Sequence, residues 1–399
     1  MPARATRLRG DLARWRTPRA LLALIATRTR VTRAEATRAL RLSSGAASEL
    51  VARLRTARLV DERPTAPRGR GRPTAELVAH PDGPLVVVVD LHHEQWRVAV
   101  SDVTGHVAAA ASGRHRDRAA PSVVAAIAAE VSHLRQVHGQ RLRAVSVSVP
   151  ATLRNGRVIQ ASGLGWHDVD LSALALDREA PLLIGNDATL AGSAEARLGA
   201  GSGARALLHL TVEVGIGGIL VTDGVAVTGA TGAGGEFGHL PLGTPGVACH
   251  CGALSCWDMD FDGRAIARRR GEPEPDDPRA YATAVIAAAR TEPAARRAVD
   301  ACARSLGAGT AGLVNALDPD LVTFGGLASR LHATAGGVVS DSYRDGLMRF
   351  HRRDPPPLVR AHFGDDGPAV GAALAGIDAV TSEAGLAAWA AIHGGVPRT

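Results

Sequence analysis

One histidine and three cysteines between residues 234 and 258 constrain this chain more than any other feature. In that stretch, GGEFGHLPLGTPGVACHCGALSCWD, the residues His239, Cys249, Cys251 and Cys256 have the spacing H-x9-C-x-C-x4-C. One imidazole and three thiolates form a tetrahedral set that suits Zn²⁺, and four protein ligands leave no open position for catalysis. The spacing therefore predicts a structural zinc site. The alternative is a disulfide pair with a spare thiol, which a reducing cytosol disfavours.

Two carboxylates, Glu236 and Asp258, lie in the same stretch as these ligands. A loop fixed by a metal ion also fixes the directions of Glu236, His239 and Asp258. Hydrogen-bond donors and acceptors held in fixed positions suit a hydroxyl-rich ligand such as a sugar. The alternative is that the carboxylates only orient the zinc ligands, and both interpretations remain open at this point.

The segments GGEFGH and CHCGALSCWD resemble the zinc-and-sugar signature of the ROK family of repressors, open reading frames and kinases. That family usually has Gly before the last cysteine and Glu two residues after it, where this chain has Ser255 and Asp258. The resemblance covers about residues 17–381. It implies a structural zinc ion and a sugar site, although the shorter side chain of Asp258 reaches less far toward a sugar.

Charge is distributed unevenly along the chain. Residues 1–80 contain 18 Arg and six carboxylates, a net charge of +12, whereas the remainder carries −5. A basic head on a mildly acidic body indicates that the head binds nucleic acid; the alternative is a solvated Arg surface without a partner. Because no apolar run reaches about 18 residues and the N-terminus lacks the apolar segment of a signal peptide, we expect a cytoplasmic protein without a membrane span.

The helical pattern of the head predicts a winged helix-turn-helix. Apolar residues from Leu21 to Ile25 indicate a first helix, Thr32 and Glu35 fit a capping box, and Ser43 is placed to cap a third helix. Strand-like residues flank the Arg/Gly/Pro loop 67–73, which is typical of a wing. This segment also resembles the winged helix at the start of ROK repressors.

In this fold the third helix enters the major groove with its N-terminal residues at the base edges. The candidate base-edge residues are small, so we expect affinity to come mainly from Arg–phosphate contacts. The wing arginines are expected to follow a narrow minor groove, unless the loop is only a solvated basic linker. The predicted DNA-contacting residues are Arg38, Arg41, Ser43, Ser44, Ala47, Ser48, Arg53, Arg68, Arg70 and Arg72.

After residue 80, predicted strands and helices alternate in two similar cycles, which favours an α/β body. The ROK resemblance implies the two-lobed, actin-like (RNase H-like) architecture of sugar kinases. We therefore expect a winged-helix domain over 1–80, a first lobe over 81–190 that is completed by a helix over 366–381, a second lobe with the zinc site over 191–365, and a C-terminal tail over 382–399.

ROK kinases carry their catalytic Asp in a motif like Asn186-Asp187-Ala188, and this motif is intact. The resemblance implies that Asn186 holds a sugar hydroxyl next to Asp187. The alternative is that both residues only cap the following helix.

The phosphate-binding side departs from the family. Family kinases begin with a strand ending in Asp-Leu-Gly-Gly-Thr, where this chain has Asp90-Leu91-His92-His93-Glu94. Imidazoles in place of two glycines block the close approach of the backbone to a phosphate. Glu94 and Glu213 add negative charge where a triphosphate would lie. We therefore expect a degenerate nucleotide site.

These patterns predict a non-catalytic, sugar-responsive transcriptional regulator, a repressor of carbohydrate-related genes. Its partners would be a double-stranded DNA operator, a sugar or sugar derivative, and further copies of the chain in a homodimer or homotetramer. The predicted effector-binding residues are Asn186, a vestigial Asp187, Glu236, His239 and Asp258. The first alternative is an active ATP-dependent sugar kinase with a DNA-binding head. The second is a regulator that has lost its ligand and responds to a partner protein.

Overall fold

The computed structural model describes residues 14–28, 30–64 and 75–393. Its N-terminal head contains three helices, α1 (Arg16–Thr27), α2 (Arg33–Ala39) and α3 (Ser44–Thr56), followed by strands β1 (Val60–Pro64) and β2 (Ala75–Ala79). The two strands pair antiparallel, with Val60 opposite Ala79. The head therefore has the order and pairing of a winged helix-turn-helix, as the sequence predicts.

Both predicted caps in the head are present. The Thr32 N–H donates to the Glu35 carboxylate at 2.8 Å, and the Glu35 N–H donates to the Thr32 hydroxyl at 3.3 Å. The Ser43 hydroxyl accepts from the Ala46 N–H at 3.2 Å. These bonds satisfy N–H groups that the first turn of a helix leaves without intrahelical partners, which fixes where α2 and α3 begin.

The first lobe is built on a five-stranded mixed sheet in the order β10-β6-β3-β4-β5. Strands β3, β6 and β10 are parallel, so their carboxyl ends meet at one edge of the sheet. The sheet strands are β3 (Leu85–Leu91), β4 (Gln95–Asp102), β5 (Val107–Arg114), β6 (Leu142–Val149) and β10 (Leu182–Asn186). The helix α4 (Ala120–His138) buries Val123, Ile127 and Val131 in the core of this lobe.

A small antiparallel sheet follows β6 that the sequence analysis did not predict. It consists of β7 (Thr152–Arg154), β8 (Arg157–Ala161) and β9 (Trp166–Val169). Helix α5 (Asp187–Leu198) then begins directly after β10.

The second lobe repeats the plan with the strand order β13-β12-β11-β14-β15. Its strands are β11 (Ala206–Val212), β12 (Ile216–Thr222), β13 (Val225–Ala226), β14 (Leu321–Gly325) and β15 (Leu358–Arg360). Its helices are α6 (Gly263–Arg270), α7 (Pro278–Ala288), α8 (Pro293–Leu317), α9 (Gly326–Gly346) and α10 (Arg349–Arg353). The two similar sheets agree with the predicted two-lobed body.

The chain returns to the first lobe at its C-terminal end. Helix α11 (Gly367–Val380) packs on β3, and α12 (Glu383–His393) packs on the head in the segment that we expected to be a tail. Leu54 of the head, Val88 of the first lobe and Trp389 of α12 belong to one hydrophobic cluster. Among the described residues, no single helix is long and apolar enough to span a membrane, although the bent pair Gly364–Val380 and Glu383–His393 passes by length and composition.

Candidate functional site

A cavity of about 120 Å³ lies where the two lobes meet. The carboxyl ends of β3, β6 and β10 supply His92, Pro150 and Asn186 to it, and the turn after β11 supplies Glu213. Ligand sites in open α/β sheets lie at this end of the strands. All five predicted effector-binding residues line the cavity: Asn186, Asp187, Glu236, His239 and Asp258.

The four predicted metal ligands come together at one end of this cavity. The ligand atoms of His239, Cys249, Cys251 and Cys256 lie within 4.8 Å of one another. The Cys251 and Cys256 sulfurs are 3.7 Å apart, and the Cys249 sulfur is 3.8 Å from His239 Nδ1. A tetrahedron with metal–sulfur bonds of about 2.3 Å has edges of about 3.8 Å. The residues therefore fit a single tetrahedral metal ion.

A buried tryptophan anchors the metal-binding loop to the second lobe. Trp257 is fully buried, and its indole N–H donates to the Ser305 carbonyl of α8 at 3.1 Å. A Cβ on Gly309 would come within 2.1 Å of the Trp257 ring, so α8 requires a residue without a side chain there. Packing against α8 therefore positions the loop that carries the four candidate metal ligands.

His239 connects the metal cluster with the cavity through its two ring nitrogens. Nδ1 faces Cys249, whereas Nε2 lies 3.8 Å from the Glu236 carboxylate. A metal ion on Nδ1 leaves Nε2 as an N–H donor, which a neighbouring carboxylate orients. With a metal ion on Nδ1, Glu236 and His239 would present an acceptor and a donor side by side on the cavity wall.

Asp258 is more constrained than its neighbours. Its Oδ1 accepts from the Ile216 N–H at 2.5 Å, and its Oδ2 lies 3.7 Å from Arg264. Burial raises the pKa of Asp258 to about 6, while the Ile216 N–H and Arg264 oppose the shift. Asp258 therefore holds the turn before β12 in place and retains only part of its hydrogen-bonding capacity for a ligand.

Asn186 and Asp187 serve both the helix and the cavity. Asn186 caps α5 by accepting from the Thr189 N–H at 3.0 Å, and its amide donates to the Ala151 carbonyl at 3.2 Å. Burial raises the pKa of Asp187 to about 7; the Ala188 N–H opposes this shift and the carboxylate of Glu213 adds to it. A carboxyl group that titrates near neutral pH has the acidity of a general base.

A network of the protein's own ion pairs begins at His92, on the wall of the cavity. Asp90 is buried and accepts from His92 at 2.8 Å and from Arg97 at 2.6 Å, and Arg97 also pairs with Asp366 at 2.7 Å. Burial alone would raise the pKa of Asp90, but the His92 hydrogen bond and the charges of His92 and Arg97 hold it below its usual range.

Arg279 continues this network from the second lobe. Its guanidinium pairs with Glu213 and, at 2.8 Å, with Asp365, which also lies 3.6 Å from Arg330. From the sequence, we expected the negative charge of Glu213 to disfavour a triphosphate in the cleft. That expectation is wrong in its mechanism, because Arg279 neutralises Glu213. Paired side chains occupy this space instead.

His93 and Glu94 also face the cleft. Burial lowers the pKa of His93 to about 4, helped by the charges of Arg118 and Arg264, so its imidazole is neutral. Burial raises the pKa of Glu94, and the nearby Asp277 raises it further. With side chains at these positions, the backbone cannot approach a phosphate as closely as it could with glycine.

Several side chains of the cavity wall could not be identified from the sequence, among them Thr152, Gln160 and Arg279. Thr152 and Gln160 come from the unpredicted sheet β7–β9, and Arg279 comes from the second lobe. The strands of that sheet have three to five residues, too few for a reliable periodic pattern.

The structure separates the predicted DNA-contacting residues into three groups. Arg38, Arg41, Ser43 and Ser44 are exposed around the turn between α2 and α3. Arg68, Arg70 and Arg72 lie outside the described residues. The remaining three, Ala47, Ser48 and Arg53, are engaged within the head.

Ala47 is 2% exposed in the core of the head, so its predicted contact with a base is wrong. Ser48 is half-buried and accepts from Arg33 at 3.4 Å. The Arg53 guanidinium lies 5.7 Å from the Trp15 ring centroid and donates to the Arg14 carbonyl at 3.0 Å, so it has partners within the head, and its phosphate contact stays a prediction.

The known proteins to which this chain is similar include both enzymes and regulators. A glucokinase from Halalkalibacterium halodurans is 33% identical over 190 residues, which are 44% of this chain and 58% of that protein. A xylose repressor from Caldicellulosiruptor bescii is 26% identical over 200 residues, which are 46% of this chain and 50% of that protein. This chain thus spans between half and three fifths of these two relatives.

A solved structure of a ROK family transcriptional regulator, a homologue of the E. coli MLC protein, has the same fold. It superposes with a TM-score of 0.70 at 20% identity, over 93% of this chain and 99% of that chain. The superposition thus extends over most of both chains. Since residues 86–378 match the ROK family, which is most of the chain, the protein belongs to the ROK family.

Proposed function

We propose that the protein is a sugar-responsive, DNA-binding transcriptional regulator that represses carbohydrate-related genes in the cytoplasm. One observation carries the proposal: the Arg279 guanidinium lies between Glu213 and Asp365, on the side of the cleft where the ROK resemblance implies that a nucleotide's phosphates would lie. The other end of the cleft keeps Asn186 and Asp187 facing the loop of the four metal ligands. A site of this kind binds a sugar without phosphorylating it.

His239, Cys249, Cys251 and Cys256 would hold a structural Zn²⁺ ion. The 3.7 Å separation of two of their sulfurs supports this assignment. With four protein ligands, the ion would supply no catalytic chemistry. It would fix the positions of Glu236 and of His239 Nε2 at the cavity wall.

The head, which we assign to residues 1–80, would bind the operator. Arg38 and Arg41 would contact phosphates, and Ser43 and Ser44 would lie at the base edges at the start of α3. Arg68, Arg70 and Arg72 would extend along the minor groove. In a homodimer or homotetramer, two heads would contact half-sites about 10 bp apart or a multiple of that spacing.

The body would consist of a first lobe over 81–190 and 366–381 and a second lobe over 191–365. A sugar between the lobes would change their relative orientation and thereby the spacing of the heads. Such a ligand shifts the equilibrium only if it binds the DNA-released form more tightly than the DNA-bound form.

Gel-shift experiments on DNA from the region upstream of the protein's own gene, with a panel of sugars, test this function. We expect a salt-sensitive complex that at least one sugar weakens. Absence of both DNA binding and a sugar response would contradict the proposal.

A sugar kinase with a DNA-binding head is the second candidate. It is favoured by the pKa of Asp187, which burial raises to about 7, within the range of a general base. ATP turnover across hexoses, pentoses and N-acetylated hexosamines distinguishes the two. Robust phosphorylation that Asp187→Asn abolishes would favour the kinase.

A further inference from the structure

The cavity between the two lobes adjoins a second cavity. This second cavity of about 530 Å³ shares His93, Ser162, Gly163 and Val214 with it, so these four residues border the passage between the two. A Cβ on Gly163 would lie 3.1 Å from His93 Nδ1. The absence of a side chain at Gly163 therefore keeps this passage open.

Hydrogen-bonding groups from both lobes surround the outer cavity. Arg118 comes from the first lobe, whereas His250, Arg264, Glu274 and Asp276 come from the second. Arg118, His250, Glu274 and Asp276 are exposed, so this cavity opens to solvent. His250 lies between two of the metal ligands, and the loop that they fix therefore also fixes the His250 backbone.

The outer cavity offers no excess of free positive charge, which decides what kind of ligand it suits. Two arginines face two carboxylates among its lining residues. Arg264 is already paired with Asp262, and Arg118 donates to the Asp276 carbonyl at 3.2 Å. A phosphate or carboxylate ligand would require an excess of free cationic donors. A neutral ligand rich in hydroxyl groups matches balanced donors and acceptors.

We propose that the effector is a neutral oligosaccharide of at least two units. One unit occupies the inner cavity next to Asn186, Glu236 and His239. The adjacent unit passes Gly163 and occupies the outer cavity between Arg118, His250 and Glu274, from which a longer chain extends into solvent. This inference rests on the proposed sugar-binding function and specifies its ligand class.

Isothermal titration calorimetry on the full, zinc-loaded chain tests the inference. The probes are glucose, maltose, cellobiose, xylose and xylobiose. We expect at least one disaccharide to bind about tenfold more tightly than its own monosaccharide, because the second unit adds hydrogen bonds, some to charged groups. If a monosaccharide binds and none of the three disaccharides binds more tightly, the inference is wrong while the proposed function stands. If none of the five sugars binds, the inference is wrong, and the gel-shift experiment with its sugar panel decides the proposed function separately.

Two substitutions test the outer cavity directly. Arg118→Ala removes a donor from it, and Gly163→Asn places a side chain in the passage. Each should lower the ratio of disaccharide to monosaccharide affinity about fivefold or more. Arg116→Ala is the matched control, since Arg116 is exposed and belongs to the lining of neither cavity. An unchanged ratio in both Arg118→Ala and Gly163→Asn would overturn the inference.

Discussion

The indole N–H of Trp389 donates to the carbonyl oxygen of Ala57 across 2.7 Å, which joins the last described helix to the end of helix α3. Trp389 is fully buried, in a cluster that also contains Leu54 and Val88. Arg16 and Glu383 add an exposed ion pair at 3.4 Å along the same contact. The C-terminal helix thus holds the head against the first lobe.

Trp389→Ala should destabilise the head by about 3–5 kcal/mol, because it removes a large buried ring and leaves a cavity. Hydrogen–deuterium exchange should then become faster across α1 and α3 than across the sheet of the second lobe. Ile392→Ala is the control, since Ile392 lies on the same helix and is 44% exposed. Equal exchange in wild type and Trp389→Ala would show that the contact does not hold the head.

Elemental analysis of freshly purified protein should find about one zinc ion per chain. Cys251→Ser should lose the zinc and lower the melting temperature, because metal binding contributes directly to the stability of the folded loop. Cys302→Ser should keep its zinc, since Cys302 is buried apart from the cluster. Wild-type protein without zinc would contradict the assignment.

Arg38→Ala and Arg41→Ala should each weaken DNA binding about equally for different sequences. Each should also reduce the slope of log affinity against log salt by about 1, because each removes one phosphate contact. Arg349→Ala, an exposed arginine of the second lobe, serves as the control. Fluorescence anisotropy over a salt series measures the slope, and an unchanged slope in both head variants would place the DNA elsewhere.

Asp187→Asn should stabilise the protein at alkaline pH and have little effect in acid. Burial raises the pKa of Asp187 from 3.8 to about 7, so the unfolded chain loses this proton at lower pH than the folded chain does. The stability of the wild-type protein therefore decreases as the pH rises from 3.8 to about 7, and the full loss of stability is present above about pH 7. The asparagine side chain of the variant does not ionise, so the variant does not lose stability in this way. Urea denaturation should show a gain of about 1–3 kcal/mol at about pH 8.5 and almost none near pH 4. An equal gain at both pH values would mean that Asp187 does not titrate as described.

Local signals in the sequence were sufficient for much of the fold. The capping box at Thr32 and Glu35 and the cap at Ser43 act within one helical turn, so α2 and α3 were predicted with their starting residues. The alternating strands and helices of the body have strong periodic patterns. The metal ligands were predicted from spacing because all four lie within eighteen residues of the chain.

Other features depend on contacts that the sequence does not reveal. Arg53 was predicted to contact DNA, but Trp15 and the Arg14 carbonyl lie beside it in the folded head. Arg279 meets Glu213 only after α7 packs against the end of β11, 66 residues away in sequence. Without these contacts, a carboxylate at Glu213 looks like an unpaired charge.

Calorimetric titration of Mg-ATP into the zinc-loaded protein tests most directly whether the protein's own ion pairs have replaced the nucleotide. We expect no saturable binding up to about 5 mM, with or without a bound sugar, because Arg279, Glu213 and Asp365 would have to exchange their pairing for the phosphates. Saturable binding of Mg-ATP with a micromolar dissociation constant would contradict this account.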